Sequence, residues 1–113
     1  MHEMSLACNI VRIAAERARA AGARRVNRVE VAVGALAGVE TEALRFCFAA
    51  ARRDDPITAD ADLVLEEIPA RGRCAGCGEV AVEMLVGCCP RCGRPGLEIV
   101  TGRELAVRAL NVD

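Results

Sequence analysis

The stretch ARGRCAGCGEVAVEMLVGCCPRCGRPG, residues 70–96, decides how the chain is organised. It holds five cysteines, six glycines, two prolines and four arginines, with little apolar mass. Such a segment cannot fold on hydrophobic burial alone, and a bound metal is the usual source of the missing stability. Within it, Cys74-Ala75-Gly76-Cys77-Gly78 and Cys89-Pro90-Arg91-Cys92-Gly93 are two Cys-x-x-Cys turns, each with glycine directly behind. Two intervening residues let both sulfurs reach one tetrahedral ion at about 2.3 Å. The trailing glycine can take a positive φ and turn backbone amides toward the thiolates. The pattern is that of a zinc ribbon, with Cys74, Cys77, Cys89 and Cys92 as ligands of a structural Zn(II) and a hairpin through Val80–Val86 joining the knuckles. Cys88 competes with Cys89 for the third position. Cys89 keeps the two-residue spacing and the Pro-containing knuckle, so it is assigned the ligand role and Cys88 is spare. Redox-active dithiols or disulfides fit less well, because a thioredoxin-like pair opens a helix in a βαβ unit. An all-thiolate site is coordinatively closed, and no catalysis is expected there.

Outward from this segment the pattern becomes regular on both sides. Residues 61–67 alternate, with Ala61, Leu63 and Leu65 inward and Asp62 and Glu66 outward, and residues 104–112 alternate again through Leu105, Val107 and Ala109. Both read as strands. The cysteine module is therefore an insert between two strands and not a terminal domain. Upstream, residues 28–34 form a further strand with Val29, Val31 and Val33 on one face. Residues 4–21 have helical spacing through Leu6, Ile10, Ile13 and Arg17, with Gly22 as the stop. Cys8 lies on this helix and reads as a buried thiol. A second helix fits 40–52, with Leu44, Cys47, Phe48 and Ala51 on one side, and Asp54-Asp55-Pro56 ends it. The expected fold is α+β: two helices packed on a three-stranded sheet, with an inserted zinc-ribbon module. Residues 1–69 and 97–113 would form one α/β domain, and residues 70–96 the zinc-binding domain.

Composition narrows the function. Hydrophobic residues make up 53% of the 113, enough for a core, whereas aromatics make up 2%, with no Trp or Tyr. Single-stranded nucleic-acid modules stack bases on aromatic faces, so that class is disfavoured. The net charge of −1 gives no general attraction to nucleic acid or anionic lipid. No apolar run approaches the roughly 20 residues needed to span a bilayer, and the start lacks the basic leader of a signal peptide. A cytoplasmic protein is expected, whose seven cysteines are metal ligands or thiols and not structural disulfides. Arg71, Arg73, Arg91 and Arg94 give the cysteine module a local positive excess over Glu79 and Glu83, which compensates a four-thiolate site or offers a docking surface. With no second histidine and no phosphate-cradling glycine loop, an enzyme is the least favoured class.

One further motif carries chemistry. Met1-His2-Glu3 contains the chain's only histidine. The Met1 amine, the His2 amide nitrogen and its ring nitrogen can close two fused chelate rings, and nitrogen-rich tetragonal sites suit Ni(II) or Cu(II).

Taken in order, Met1-His2-Glu3-Met4-Ser5, the helix behind it, Val33-Gly34-Ala35, Val39-Glu40-Thr41, Phe46-Cys47-Phe48 and the two knuckles resemble the HypA/HybF family of hydrogenase nickel incorporation proteins. The resemblance covers the whole chain. It implies a nickel-binding α/β domain with a zinc-binding domain inserted, Ni(II) held at the amino terminus by His2 and Glu3, and Zn(II) held structurally. It also implies delivery of nickel, with a partner nickel-handling GTPase, to the large subunit of [NiFe] hydrogenase, with no nucleic acid or membrane as partner. The chain would be a monomer or weak homodimer. In some relatives an acidic residue at the place of Glu40 approaches the nickel; Glu40 also suits the start of the second helix. The histidine that some relatives carry beside the zinc cysteines is absent here, so a pH-dependent change of zinc site is not carried over. The competing class is a zinc-ribbon protein- or nucleic-acid-binding module with structural zinc only.

Overall fold

A computed structural model describes residues 2–84 and 87–113. It has α1 (Glu3–Ala20), β1 (Val26–Gly34), α2 (Thr41–Ala51), two 3₁₀ turns (Arg52–Asp54 and Pro56–Thr58), β2 (Asp62–Ile68), β3 (Arg71–Cys74), β4 (Gly78–Ala81), β5 (Glu98–Thr101) and β6 (Leu105–Val112). The expected two helices and the three long strands are present. The strands form two three-stranded sheets, ordered β2-β1-β6 and β4-β3-β5. The second sheet includes a strand, β5, that the sequence reading did not anticipate. Among the described residues no helix is long and apolar enough to cross a membrane.

The chain divides into two compact units. One comprises residues 1–32, 39–66 and 106–113; the other comprises 33–38 and 67–105. In the first unit α1 buries Ala7, Ile10, Val11, Ala14, Ala15 and Ala18. That stripe differs from the expected Leu6–Ile10–Ile13–Arg17 face: Leu6 and Ile13 are half-buried and Arg17 is exposed, its guanidinium donating to the Val107 carbonyl at 3.2 Å. Four of the six buried positions are alanine, which permits close packing of α1, with Ile10 and Val11 the larger buried side chains. Cys8 is exposed, not buried as expected, because the buried stripe passes through its neighbour Ala7.

Gly22 ends α1 at φ +75°. The Gly22 N–H donates to the Arg19 carbonyl at 3.0 Å and the Ala23 N–H to the Ala18 carbonyl at 2.9 Å. These are the paired bonds of a Schellman cap, which needs a left-handed residue at this place. β1, central in its sheet, buries Val26, Val29, Val31, Ala32 and Val33. α2 buries Leu44, Phe48 and Ala51, as its spacing predicts, with Cys47 half-buried. Asp55 caps the second 3₁₀ turn by accepting from the Ile57 N–H at 3.0 Å, and it pairs with Arg19 through two 2.7 Å bonds. On β6 the expected inward set is broken: Leu105 and Val107 are half-buried, but Ala109 is exposed and Leu110 takes the inward place. The alternation slips at Arg108–Ala109, both exposed on an edge strand.

The second unit is built on β3. It pairs antiparallel with β4 through Arg71↔Ala81, Gly72↔Val80, Arg73↔Glu79 and Cys74↔Gly78, and with β5 through Arg73↔Glu98 and Gly72↔Ile99. The first Cys-x-x-Cys knuckle is thus itself the turn of the β3–β4 hairpin. The expected hairpin joining the knuckles over Val80–Val86 is replaced by this arrangement, since Val80 pairs back on β3; Leu85 and Val86 lie outside the described residues. Beside the knuckles this unit has a small core cluster of Cys74, Val80 and Cys89, with Cys77 and Leu97 packed against it; Ala70 and Val82 are buried as well.

Candidate metal centres

The two knuckles repeat one local geometry. In the first, the N–H groups of Cys77 and Gly76 point at the Cys74 sulfur. In the second, those of Cys92 and Arg91 point at the Cys89 sulfur, with Arg91 N to Cys89 Sγ at 3.4 Å. Gly78 and Gly93, directly behind the knuckles, both have φ +76°. Here the turn closes with a left-handed residue, which glycine accepts without strain. The amides that face the sulfurs come from inside the knuckles.

These turns bring four thiols together. The Sγ atoms of Cys74, Cys77, Cys89 and Cys92 all lie within 4.8 Å of one another, and Cys74 Sγ is 3.6 Å from Cys92 Sγ. A tetrahedral ion with bonds of about 2.3 Å requires sulfur–sulfur separations of about 3.8 Å. Cys74 and Cys89 are buried, Cys77 is half-buried and Cys92 exposed. Cys88 is exposed and stands outside the group, its backbone bridged to Pro95.

The electrostatics of the cluster favour a cation. The N–H groups of Cys77 and Gly76 hold the Cys74 thiol down to about 6. Amides of the second knuckle lower Cys89 in the same way. Cys77 is instead pushed up to about 12, first by the neighbouring Cys92 sulfur and then by burial and the other two sulfurs. Backbone dipoles thus prepare thiolates that repel one another, and a divalent ion relieves that repulsion. The donor set is all sulfur and tetrahedral in reach, which fits Zn(II). Two of the four nearby arginines are already paired: Arg71 Nε lies 2.8 Å from Glu79 Oε1, and Arg73 Nη1 3.8 Å from Glu98 Oε1.

The amino-terminal residues are placed differently. His2 is the N-cap residue of α1, exposed, and its ring caps nothing. Its carbonyl accepts from the Leu6 N–H at 3.1 Å. Glu3 starts the helix, and its Oε2 accepts from the Glu40 N–H at 3.2 Å. That bond chiefly holds the Glu3 carboxyl below the usual carboxylate range. The Glu40 carboxylate accepts from the Glu42 and Ala43 N–H groups at 3.3 and 3.0 Å, capping α2. The tie between Glu3 and the start of α2 was not visible in the sequence, because it passes through a backbone N–H. Among the described residues the four cysteines are the only group of three or more side chains gathered at ligand spacing; His2, Glu3 and Glu40 are not. The Met1 amine of the expected chelate lies outside the described residues.

A family model described as hydrogenase/urease nickel incorporation, metallochaperone, HypA matches residues 1–112. The hydrogenase maturation factor HypA of Chlorobaculum parvum is 43% identical over 114 residues, covering 100% of both chains. That of Geotalea daltonii is 44% identical over 113 residues, covering 99% of each. The solution structure of the Ni metallochaperone HypA from Helicobacter pylori superposes with a TM-score of 0.72 at 23% identity, over 99% of this chain and 97% of that one. At that identity it speaks to the fold.

Proposed function

This chain belongs to the HypA family of hydrogenase/urease nickel-incorporation metallochaperones, and from that premise we propose that it binds Ni(II) on His2 and Glu3 and delivers it to the large subunit of [NiFe] hydrogenase during maturation. The observation that carries the reading is the exposed His2 ring, which makes no cap bond at the start of α1, next to a Glu3 carboxylate anchored on the Glu40 N–H. Backbone nitrogens of the terminal segment complete a nitrogen-rich set suited to Ni(II). Because such nitrogens must lose protons to coordinate, affinity rises with pH. A site at a helix start, with few side-chain ligands, can be dismantled by a partner's stronger donor set, which transfer requires.

In this reading residues 1–69 and 97–113 are the nickel-handling domain and 70–96 the inserted zinc domain. Cys74, Cys77, Cys89 and Cys92 hold Zn(II), which supplies folding stability there and no reaction. Glu40 is assigned to the cap of α2, since its carboxylate is engaged by two N–H groups of the helix. The partner in transfer is a nickel-handling GTPase. Unoxidised thiolate ligands require reducing conditions, so the function is placed in the cytoplasm.

The test is nickel titration by calorimetry of the wild type beside His2→Ala. Removing a ligand should weaken nickel binding by more than the roughly 100-fold that even outer-shell losses reach, with circular dichroism and zinc content unchanged. Tight nickel uptake by the variant would refute the terminal site.

A further inference from the structure

Arg94 follows the second knuckle, yet its guanidinium rests on the first. A carbon added to Gly76 would sit 2.5 Å from Arg94 Nη1 and 3.0 Å from its Cζ, so the guanidinium occupies the space a side chain at position 76 would fill. Gly76 lies between the two ligands of the first knuckle. Arg94 therefore spans the two halves of the four-thiol cluster and places a fixed charge beside it. The other arginines of the segment are disposed otherwise. Arg71 and Arg73 are paired with Glu79 and Glu98, and Arg91 contributes its backbone N–H to Cys89. Among the described residues Arg94 makes no ion pair.

We propose that Arg94 is a positioning residue that keeps the loaded cluster closed, its guanidinium seated on Gly76 to tie one knuckle to the other and offset the charge of the thiolates. This rests on the reading that the four cysteines hold Zn(II). A Zn(II) with four thiolates is a dianion, and a cation beside it opposes loss of the ion. Arg suits this place because the guanidinium is permanently charged and weakly hydrated, so it rests close to Gly76 at little desolvation cost. Outer-shell partners of this kind shift metal affinity by roughly 10–100-fold. Gly76 is the complementary half of the device: its φ is not left-handed, so what excludes a side chain there is the guanidinium.

The experiment follows zinc transfer from the loaded protein to a chromogenic chelator, at low salt and at about 1 M salt, where charge effects beyond about 3 Å are screened. Arg94→Gln should release zinc about ten-fold faster at low salt, and the difference should narrow at high salt. Arg94→Lys, which keeps the charge, should recover most of the wild-type rate. Gly76→Ala should imitate Arg94→Gln, because it displaces a flexible guanidinium and leaves the backbone unstrained, and the double variant should be no faster than either. Wild-type release rates in Arg94→Gln, equal rates for the Lys and Gln variants, a difference indifferent to salt, or additive effects at 76 and 94 would each overturn the proposal. A wild-type protein that takes up no zinc would instead overturn the zinc reading beneath it.

Discussion

Cys88 and Cys89 are identical in chemistry and adjacent in the chain, yet the fold separates them. Cys89 is buried, receives the Arg91 N–H on its sulfur and donates its own N–H to the Arg94 carbonyl at 2.8 Å. Cys88 faces solvent, outside the four-sulfur group. A knuckle needs two residues between its sulfurs so that the second pair of N–H groups can turn back on the first, and only Cys89 has that relation to Cys92. Cys88→Ser should therefore leave one zinc per chain by elemental analysis. Cys89→Ser should lower the bound zinc and weaken affinity by more than the roughly 100-fold range of outer-shell effects. Equal zinc in the Cys89 variant, with loss in the Cys88 variant, would reverse the assignment. The spacing argument picks the same four cysteines that the fold gathers. It could not reveal Glu3 and Glu40 as neighbours, since their 3.2 Å bond joins positions 37 residues apart through a backbone donor that any residue type would supply.

At the scale of elements, the junction after α2 carries a testable ion pair. Asp55 takes two 2.7 Å bonds from the Arg19 guanidinium and one of 3.0 Å from the Ile57 N–H. Arg19 first, then the Ile57 N–H, hold its carboxyl below the ordinary carboxylate range. A carboxyl whose folded pKa is depressed adds stability above its unfolded value, about 3.9, and that contribution is lost as pH falls through the lower folded value. Asp55→Ala should cost on the order of 1 kcal/mol near pH 7, from cap and bidentate pair together. In denaturant melts the gap to wild type should shrink as pH falls below about 4. A gap that stays constant down to pH 2 would show that the carboxylate's charge contributes nothing. The break at Asp54-Asp55-Pro56 was legible because proline and acidic caps act locally. So were α1, α2 and the three long strands, because a buried face imprints its period on the sequence. Features without a strong period of their own escaped. Four of the six buried residues of α1 are alanine, which hydrophobic periodicity weights lightly beside Leu6 and Ile13, and so the stripe and the exposure of Cys8 were misplaced. β5 is a four-residue strand, Glu98–Thr101, held by pairing with β3 in a setting too short for its own pattern to register.

For the molecule as a whole, the two units have different sources of stability. The first has a conventional core of Ile10, Val11, Val26, Val29, Val31, Leu44 and Phe48 beneath two helices. In the second, three of the five residues in the cluster around Val80 are thiols, and Val80, Leu97, Ala70 and Val82 supply the apolar contribution between Glu67 and Leu105. So small an apolar core does not by itself offset the cost of ordering the stretch from Glu67 to Leu105. In small metal-dependent domains of this kind the free energy of metal binding is folding free energy. Stripping zinc with a strong chelator should therefore abolish slow amide exchange across β3, β4 and β5, while α1 and α2 keep their helical circular dichroism and their protection. Readdition of zinc should restore the β3–β5 amides. If those amides stay protected after metal analysis has confirmed removal, the second unit holds itself together without metal. If helix and sheet protection vanish together, the zinc-stabilised unit and the helical core fold as one, and an insert that depends separately on its metal is the wrong description of this chain.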